Sequence, residues 1–186
     1  MPKGEQYFDE LISYWKAMPK LAGKVPQKTA FSPMQVYRML PNLFFGERIG
    51  KYNIRLRLMG EAVESAARDV MPNRNIFEVV PEPLWGQVER YYDGLCGHPC
   101  AGHVVRALAL ENGLVYDLET ISLPLADGNG DPCYILGLVD LQQNHNNSVA
   151  ALRGAFDEAS VSIIEYWDLG YGIPSIEETK AIKRVS

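Results

Sequence analysis

The sequence predicts an α+β protein built on an antiparallel sheet, and three patterns carry that prediction. Residues 115–125 and 133–141 are two long β-prone runs around the turn ADGNGDP, which together predict an antiparallel hairpin. Residues 52–58 alternate apolar and polar side chains, as a half-buried strand does. Residues 5–18 and the segment after Pro81 instead repeat apolar side chains at helical spacing. Strand runs joined by short turns and grouped apart from helices are typical of the α+β class.

The first third of the chain predicts two helices followed by a pair of strands. After the helix at residues 5–18, Ser32 can cap a second helix and Pro33 suits its first position. That helix is predicted to end near Pro41. Residues 43–49 are β-prone and lead through a tight turn into the alternating strand described above.

The middle of the chain predicts short helices, one longer helix and a further strand. Residues 61–68 favour a short helix, and residues 76–80 favour one helical turn. The longer helix opens at Pro81 and carries a single apolar stripe. Residues 101–110 then form the first strand of a meander that the hairpin completes.

The end of the chain is less regular. Asn112-Gly113 is a hairpin turn signal between two strands of the meander. Residues 149–159 favour a helix, whereas the β-branched and aromatic residues 161–167 fit either an extra strand or a continuation of that helix. The last, charged residues are expected to form a mobile tail.

Composition narrows the class of protein. With 186 residues, of which 47% are hydrophobic, the chain can bury one core, and no apolar run is long enough to span a bilayer. The N-terminus lacks the apolar stretch of a signal peptide, which predicts a cytoplasmic location. The net charge of -5 argues against non-specific binding to nucleic acid or to anionic membranes. The odd number of cysteines, three, favours reduced thiols over a disulfide framework.

Several stretches together resemble one family, the bacterial stand-alone PAS-domain family. They span residues 10–141, and a further stretch, DLGYGIP at 168–174, resembles a tail that follows the domain in that family. The resemblance implies a five-stranded antiparallel sheet with helices on one face, plus an N-terminal helix and a C-terminal extension. The matching stretches are LISYWKAM, MLPNLFF, YNIRLRLMG, GHPC and ETISLPLADGNGDPCYILGLVDL.

The resemblance also implies an organisation and a function. We expect an N-terminal helical extension at residues 1–41, a PAS-like core at 42–141 and a C-terminal extension at 142–186. The implied function is that of a sensory or regulatory module that binds a small ligand, a protein partner or both. Because the implied fold fills the chain and leaves no room for a catalytic or DNA-binding output domain, the signal is expected to leave by protein contact. The sequence does not identify a cofactor. Membrane insertion and a nucleic-acid partner are not expected.

Five residues are candidate ligand contacts, if their side chains face the space between sheet and helices. Arg57 could pair with a carboxylate or phosphate, although a solvated sheet face explains it equally well. Alternation places Tyr116 on one face of the hairpin and Glu119 on the other, without deciding which face is the inner one. The full set of candidates is Arg57, Tyr92, His103, Tyr116 and Glu119.

The first helix is a candidate dimerisation or partner surface. Its apolar stripe, which needs to be covered, comprises Phe8, Leu11, Ile12 and Trp15. Packing against the helix's own domain would cover it. In PAS proteins a leading helix often pairs with its counterpart, so the resemblance implies a homodimer.

Two other classes of function stay open. Cys96, His98, Cys100 and His103 offer the ligands that zinc prefers, and either histidine could hold haem, but their spacing fits no common metal motif and a helix-to-strand turn explains the cluster. We therefore predict no metal site, with a haem or metal sensor as the alternative. A small-molecule enzyme using a PAS-like pocket is the other alternative, and it requires a buried acid or base. The Asp-rich hairpin turn resembles the start of a calcium loop but lacks its later ligands.

Overall fold

A computed structural model describes residues 3–20, 25–66, 72–109, 115–143 and 161–175 of the chain. Within these ranges no helix is long and apolar enough to cross a membrane. The predicted turn at Asn112-Gly113, the predicted helix at 149–159 and the charged tail lie outside the described residues.

The centre of the fold is one antiparallel sheet. Its six strands lie in the order β2-β1-β5-β4-β3-β6. Five of them form the predicted antiparallel sheet, which is confirmed, and the sixth comes from the C-terminal extension and pairs with β3. The strands are β1 (Leu43–Gly50), β2 (Asn53–Met59), β3 (Ala101–Ala109), β4 (Val115–Ala126), β5 (Pro132–Gln143) and β6 (Val161–Trp167).

Helices cover both faces of this sheet. We call the face under α2 (Glu61–Ala66) and α3 (Trp85–Gly97) the inner face, and the face under α1 (Lys3–Ala17) the outer face. Five short 3-10 turns join these elements, at Lys28–Ala30, Pro33–Val36, Leu40–Asn42, Ile76–Glu78 and Glu82–Leu84. The two longer helices thus enclose the sheet from opposite sides.

The outer face is packed by the apolar stripe of α1. Leu11 and Trp15 are fully buried and Phe8 is nearly so. The indole Nε1–H of Trp15 donates to the backbone oxygen of Pro124 at 2.7 Å, which satisfies the only polar atom of that side chain. The sheet contributes mainly Leu, Ile and Phe to this core, namely Leu43, Phe45, Ile121, Leu123, Leu125, Leu136 and Leu138.

The inner face is packed by aromatic rings together with Leu, Ile and Val side chains. Tyr52, Phe77 and Trp85 form one aromatic group, with ring centroids 5.4 to 5.7 Å apart. Glycines allow rings to lie directly on the sheet: a Cβ atom at Gly137 would lie 2.0 Å from Cζ of Phe44. The positions of the rings on the inner face therefore depend on glycines in the sheet.

The β4–β5 hairpin forms as the sequence predicts. Its turn is closed by the Asp127 carboxylate, which accepts the backbone N–H of Asn129 at 2.8 Å and of Asp131 at 3.0 Å. Gly130 has a φ of +94°, which a residue with a side chain rarely adopts. Ordinary turn chemistry thus accounts for the Asp127 carboxylate.

One predicted element differs from the structure, and the structure decides one that the sequence left open. The helix expected from Ser32 to Pro41 is only a 3-10 turn, Pro33–Val36, and a second one at Leu40–Asn42. Val36 and Met39 are the buried residues here, and their spacing of three fits 3-10 geometry rather than a longer α-helical stripe. Residues 161–167, for which strand and helix were both open, form β6.

Candidate functional site

Tyrosine side chains fill the region between α3 and the inner face, which we call the inner space. Tyr91 of α3 lies across Gly102 of β3, where a Cβ atom would be only 2.3 Å from its hydroxyl oxygen. Its ring stacks on Tyr166 of β6, with centroids 5.8 Å apart and an interplanar angle of 19°. The neighbouring Tyr92 meets Tyr91 edge-on at 5.0 Å. A glycine on the sheet is thus what admits the central ring.

The hydroxyl of Tyr91 is the most unusual polar atom of this space. The residue is buried, and its hydroxyl makes no well-aligned hydrogen bond to any residue that the structure describes. Burial raises the pKa of Tyr91 well above its ordinary value, and the Ser122 hydroxyl beside it offsets part of that shift. Buried polar atoms are usually paired, so this one is a candidate contact for a bound molecule.

A second pair of polar groups consists of Arg106 of β3 and Tyr92 of α3. Burial lowers the pKa of Arg106 to about 10, an effect that the nearby Tyr92 partly opposes. Burial likewise raises the pKa of Tyr92 to about 12, against the influence of Arg106. At neutral pH, this part of the inner face therefore holds a guanidinium cation next to a neutral phenol.

Ion pairs fix α3 against the first two strands. Arg48 of β1 pairs with Glu89 and Asp93 of α3, and the other oxygen of Glu89 accepts the backbone N–H of Tyr52 at 2.8 Å. Burial works against the charge of Arg48, but the hydrogen bonds to both carboxylates outweigh it and raise the pKa of the guanidinium. Since Glu89 is buried, losing Arg48 would leave an uncompensated carboxylate under the helix.

The outer face carries a polar cluster of its own. The buried His103 lies between two carboxylates, with Nε2 2.7 Å from Glu119 and Nδ1 3.0 Å from Glu165. A neutral imidazole donates only one hydrogen bond, so this arrangement needs one further proton, either on the ring or on a carboxyl group. The ring of Trp167 covers the imidazole at a centroid distance of 4.5 Å, and Phe8 of α1 meets it edge-on at 6.3 Å.

The structure distributes the five candidate ligand contacts over three places. Tyr92 and Tyr116 lie on the inner-face side, because Tyr116 shares a face of β4 with the inner-core residue Leu118. His103 and Glu119 meet each other on the outer face. Arg57 is exposed on β2, where its guanidinium pairs with Glu47 at 2.6 Å and with the Asn73 side chain at 2.9 Å. Their role in ligand binding stays a prediction.

The apolar stripe of α1 is largely covered within a single chain. Phe8, Leu11 and Trp15 pack against the sheet, and Ile12 is half-buried at the edge of the same core. The exposed side of the helix is instead polar, with Gln6, Asp9, Glu10, Ser13 and Lys16. A second copy of the chain is therefore not needed to cover the stripe, and its role in dimerisation stays a prediction.

The cysteines and His98 do not converge on a metal site in the described parts of the chain, where no group of three or more suitable side chains is found. Burial raises the pKa of Cys96 to about 11 and that of Cys100 to about 12, so both are thiols at neutral pH. Zinc and reactive cysteines both require the thiolate. Cys133 is half-exposed, and all three cysteines are unpaired.

The most informative inner-face residues are ones that the sequence did not single out. Tyr91 appears there only as one member of an apolar helix stripe, and Ser122 as an alternating strand residue. Tyr166 and Glu165 belong to a segment whose secondary structure the sequence leaves open. The available signals are Gly102 and Gly94, because glycine within a strand or helix often marks a close approach of another group.

A family described as PAS domain matches residues 5–140. No curated protein matches the chain. Among solved structures, a VqmA–ligand–DNA complex from Vibrio cholerae is 12% identical with a TM-score of 0.43, over 60% of this chain and 51% of that one. VqmA bound to DPO is 12% identical, with a TM-score of 0.39, over 63% and 58% of the two chains. A Vibrio cholerae VqmA dimer without target DNA is 14% identical, with a TM-score of 0.40, over 67% and 55%.

This chain spans about half the length of the VqmA chains that it matches. The expectation of no nucleic-acid partner is wrong, because the similar solved structures include a protein bound to DNA. An acidic net charge summed over a chain does not reveal how charge is distributed on its surface, so it is a poor ground for that exclusion. It is VqmA that binds DNA and DPO in these structures.

Proposed function

Because the chain belongs to the PAS-domain family, we propose that it is a sensory module that binds a small molecule between α3 and the inner face of its sheet. Binding there would change the packing of α3 and β6, and the change would be read by a protein partner. The module carries out no chemical step on the ligand. A cytoplasmic location and a homodimer belong to the same proposal and are supported only by the sequence.

The observation that carries the proposal is the buried Tyr91 hydroxyl. It points at the sheet beside Ser122, in surroundings that are otherwise aromatic and aliphatic. An unpaired buried hydroxyl costs about 1–3 kcal/mol. A ligand that accepts a hydrogen bond from Tyr91 would remove this cost, which is a direct source of binding energy.

The surroundings indicate the chemistry of the ligand. Rings of Tyr91 and Tyr166 and the side chain of Leu95 offer apolar contact area. The hydroxyl groups of Tyr91 and Ser122 offer hydrogen-bond donors. We therefore expect a small, mainly apolar molecule with one or two acceptor atoms, such as a carbonyl or a ring nitrogen.

Replacing Tyr91 by Phe tests the proposal, because it removes only the hydroxyl. We expect Tyr91→Phe to keep the fold and to lose, at least about tenfold, the small molecule retained on rapid purification, as one hydrogen bond in a buried site implies. Native mass spectrometry would measure the retained molecule.

Tyr14→Phe is the matched control, since Tyr14 lies on the outer-face side and its hydroxyl accepts the backbone N–H of Ser32 at 2.7 Å. This variant should retain the ligand as the unmodified chain does. Equal retention by both variants, or no retained molecule in any of the three proteins, would contradict the proposal.

The output surface is proposed to lie around the 3-10 turn Pro33–Val36 and the residues that follow it. Met34 and Tyr37 are 80% and 59% exposed there, beside a groove of about 550 Å³ lined by side chains of α1 and of this turn. Exposed apolar side chains next to a groove are common at protein contact sites. Met34→Ser combined with Tyr37→Ser would be expected to weaken partner binding while leaving ligand retention unchanged.

A further inference from the structure

The C-terminal part of the described chain, residues 161–175, wraps around the edge of the sheet, and we call it the strap. We propose that the strap opens and closes as a unit separate from the five-stranded sheet, with Tyr166 as the side chain that closes the inner space. The separate movement of the strap is inferred from the contacts of the strap alone. Its control of ligand access rests on the proposed function.

The strap is attached to the sheet along one edge. β6 pairs with residues 101–106 of β3, and in the described part of the chain it is the last strand of the sheet. The strap also lies outside residues 5–140, the stretch that matches the PAS family. β4, by contrast, pairs with a neighbour on each side, so it cannot separate from the sheet without disrupting the core.

On the inner face, the strap packs against α3 at Gly94, where the helix has no side chain. A Cβ atom at Gly94 would lie 2.5 Å from the Tyr166 hydroxyl and 2.9 Å from Cγ of Pro174, so glycine at this position admits both strap residues. The Tyr166 hydroxyl donates to the backbone oxygen of Tyr91 at 3.0 Å. Both Tyr166 and Pro174 are buried as a result.

On the outer face, the next residues of β6 hold the strap from the other side. Glu165 contacts Nδ1 of His103, and the ring of Trp167 covers the imidazole. Beyond β6, the buried Leu169 enters the outer core. Because side chains alternate along a strand, Tyr166 contacts the inner face, while Glu165 and Trp167 contact the outer face of the same sheet edge.

The end of the strap is preformed as a turn. One carboxylate oxygen of Asp168 accepts the backbone N–H groups of Gly170, Tyr171 and Gly172 at 2.7 to 2.9 Å. Gly170 and Gly172 have φ values of +99° and +88°, which glycine adopts without strain. A locally stabilised turn can keep its shape while the contacts at Gly94 and His103 break.

These contacts make Tyr166 part of the wall of the inner space. With the strap seated, its ring covers one side of Tyr91. If the strap left the sheet, the Tyr91 ring and the surface of α3 at Gly94 would face solvent. The strap therefore links what happens in the inner space to an element on the surface.

Gly94→Ala tests the separate movement of the strap. Alanine favours the helix over glycine, so this variant should stabilise α3 itself while its methyl group obstructs Tyr166 and Pro174. We expect amides of β6 to exchange hydrogen at least about tenfold faster, with unchanged exchange in β4 and β5. Hydrogen–deuterium exchange read by mass spectrometry resolves these strands.

Gly86→Ala is the matched control, because its methyl group on the same helix would meet only the end of Arg90, at an ordinary 3.5 Å. It should leave the exchange of β6 unchanged. The proposal is overturned if β6 keeps its protection in Gly94→Ala, or if it loses protection only together with β4 and β5.

A second variant, Tyr166→Ala, tests the closing role without altering α3. We expect the dye 1-anilinonaphthalene-8-sulfonate to fluoresce several-fold more strongly with this variant than with the unmodified chain, since the inner space opens. Unchanged dye fluorescence together with fast β6 exchange would show a strap that does not close the space. If the strap behaves as expected but no variant retains a small molecule, the proposed function fails and the strap stands.

Discussion

The two faces of the sheet are both buried, yet they are packed in different ways. On the outer face, aliphatic side chains and Trp15 interlock, and the one polar atom of that indole is satisfied. On the inner face, the ends of the Tyr91 and Phe44 rings lie over Gly102 and Gly137, and a buried hydroxyl is left without a good partner. The difference teaches that α1 leaves no unpaired indole in the core that it packs, whereas α3 covers a buried hydroxyl that has no good partner among the described residues.

The largest expected effect concerns the outer face. Trp15→Ala should lower the free energy of unfolding by about 3–5 kcal/mol, because it leaves a large cavity and an unpaired carbonyl at Pro124. Urea denaturation followed by circular dichroism would measure this loss. A loss below about 1 kcal/mol would show that α1 is not an integral part of the core.

A smaller loss in the free energy of unfolding is expected when a methyl group is added to the inner face. Gly137→Ala should cost about 1–3 kcal/mol, since its Cβ atom would overlap the ring of Phe44. Gly46→Ala on the same face is the control, because its nearest neighbours lie at an ordinary 3.6 Å or more. If both variants unfold at the same urea concentration, the rings do not depend on the glycines as described.

Cysteine reactivity distinguishes buried from accessible parts of the inner-face side. The raised pKa values of Cys96 and Cys100, about 11 and 12, mean that their reactive thiolates form only at strongly alkaline pH. Burial raises the pKa of Cys133 as well, but its side chain is half-exposed, so iodoacetamide at neutral pH should modify it first. Peptide mass spectrometry gives the order, and faster modification of Cys96 would indicate that α3 opens readily.

The smallest effect is expected at the turn of the strap. Backbone N–H groups of Gly170, Gly172 and Tyr171 hold the pKa of Asp168 below its ordinary 3.8. A carboxyl whose pKa is lowered by folding contributes stability above its unfolded pKa and loses it as the pH falls through the folded value. Carboxyl resonances followed by NMR should thus show Asp168 titrating below pH 3.8, and a midpoint above that value would contradict the hydrogen-bonded turn.

Much of the fold follows from local patterns in the sequence. The alternation in residues 52–58 and the turn at Asp127 predict β2 and the β4–β5 hairpin, because a half-buried strand and a tight turn each leave a local signature. Residues 121–126 are buried on both faces, so alternation along them could not tell the inner face from the outer. The predicted helix from Ser32 is wrong since its cap signal is followed by only two buried residues.

The candidate site was less accessible to prediction, because its geometry depends on contacts between distant segments. His103 and Glu119 are among the predicted contacts, but Glu165, which completes their cluster, comes from a strand that the sequence left open. Tyr91 lies over Gly102 only because α3 crosses β3, and no spacing along the chain encodes that crossing.

One measurement tests the central claim most directly: an experimental electron-density map of the protein purified rapidly from the cells that produce it. The account predicts density for a non-protein molecule between α3 and the sheet, within hydrogen-bond distance of the Tyr91 hydroxyl. A map in which that hydroxyl is paired only with Ser122 or with water, and in which the rings of Tyr91 and Tyr166 fill the space without a further molecule, would contradict it.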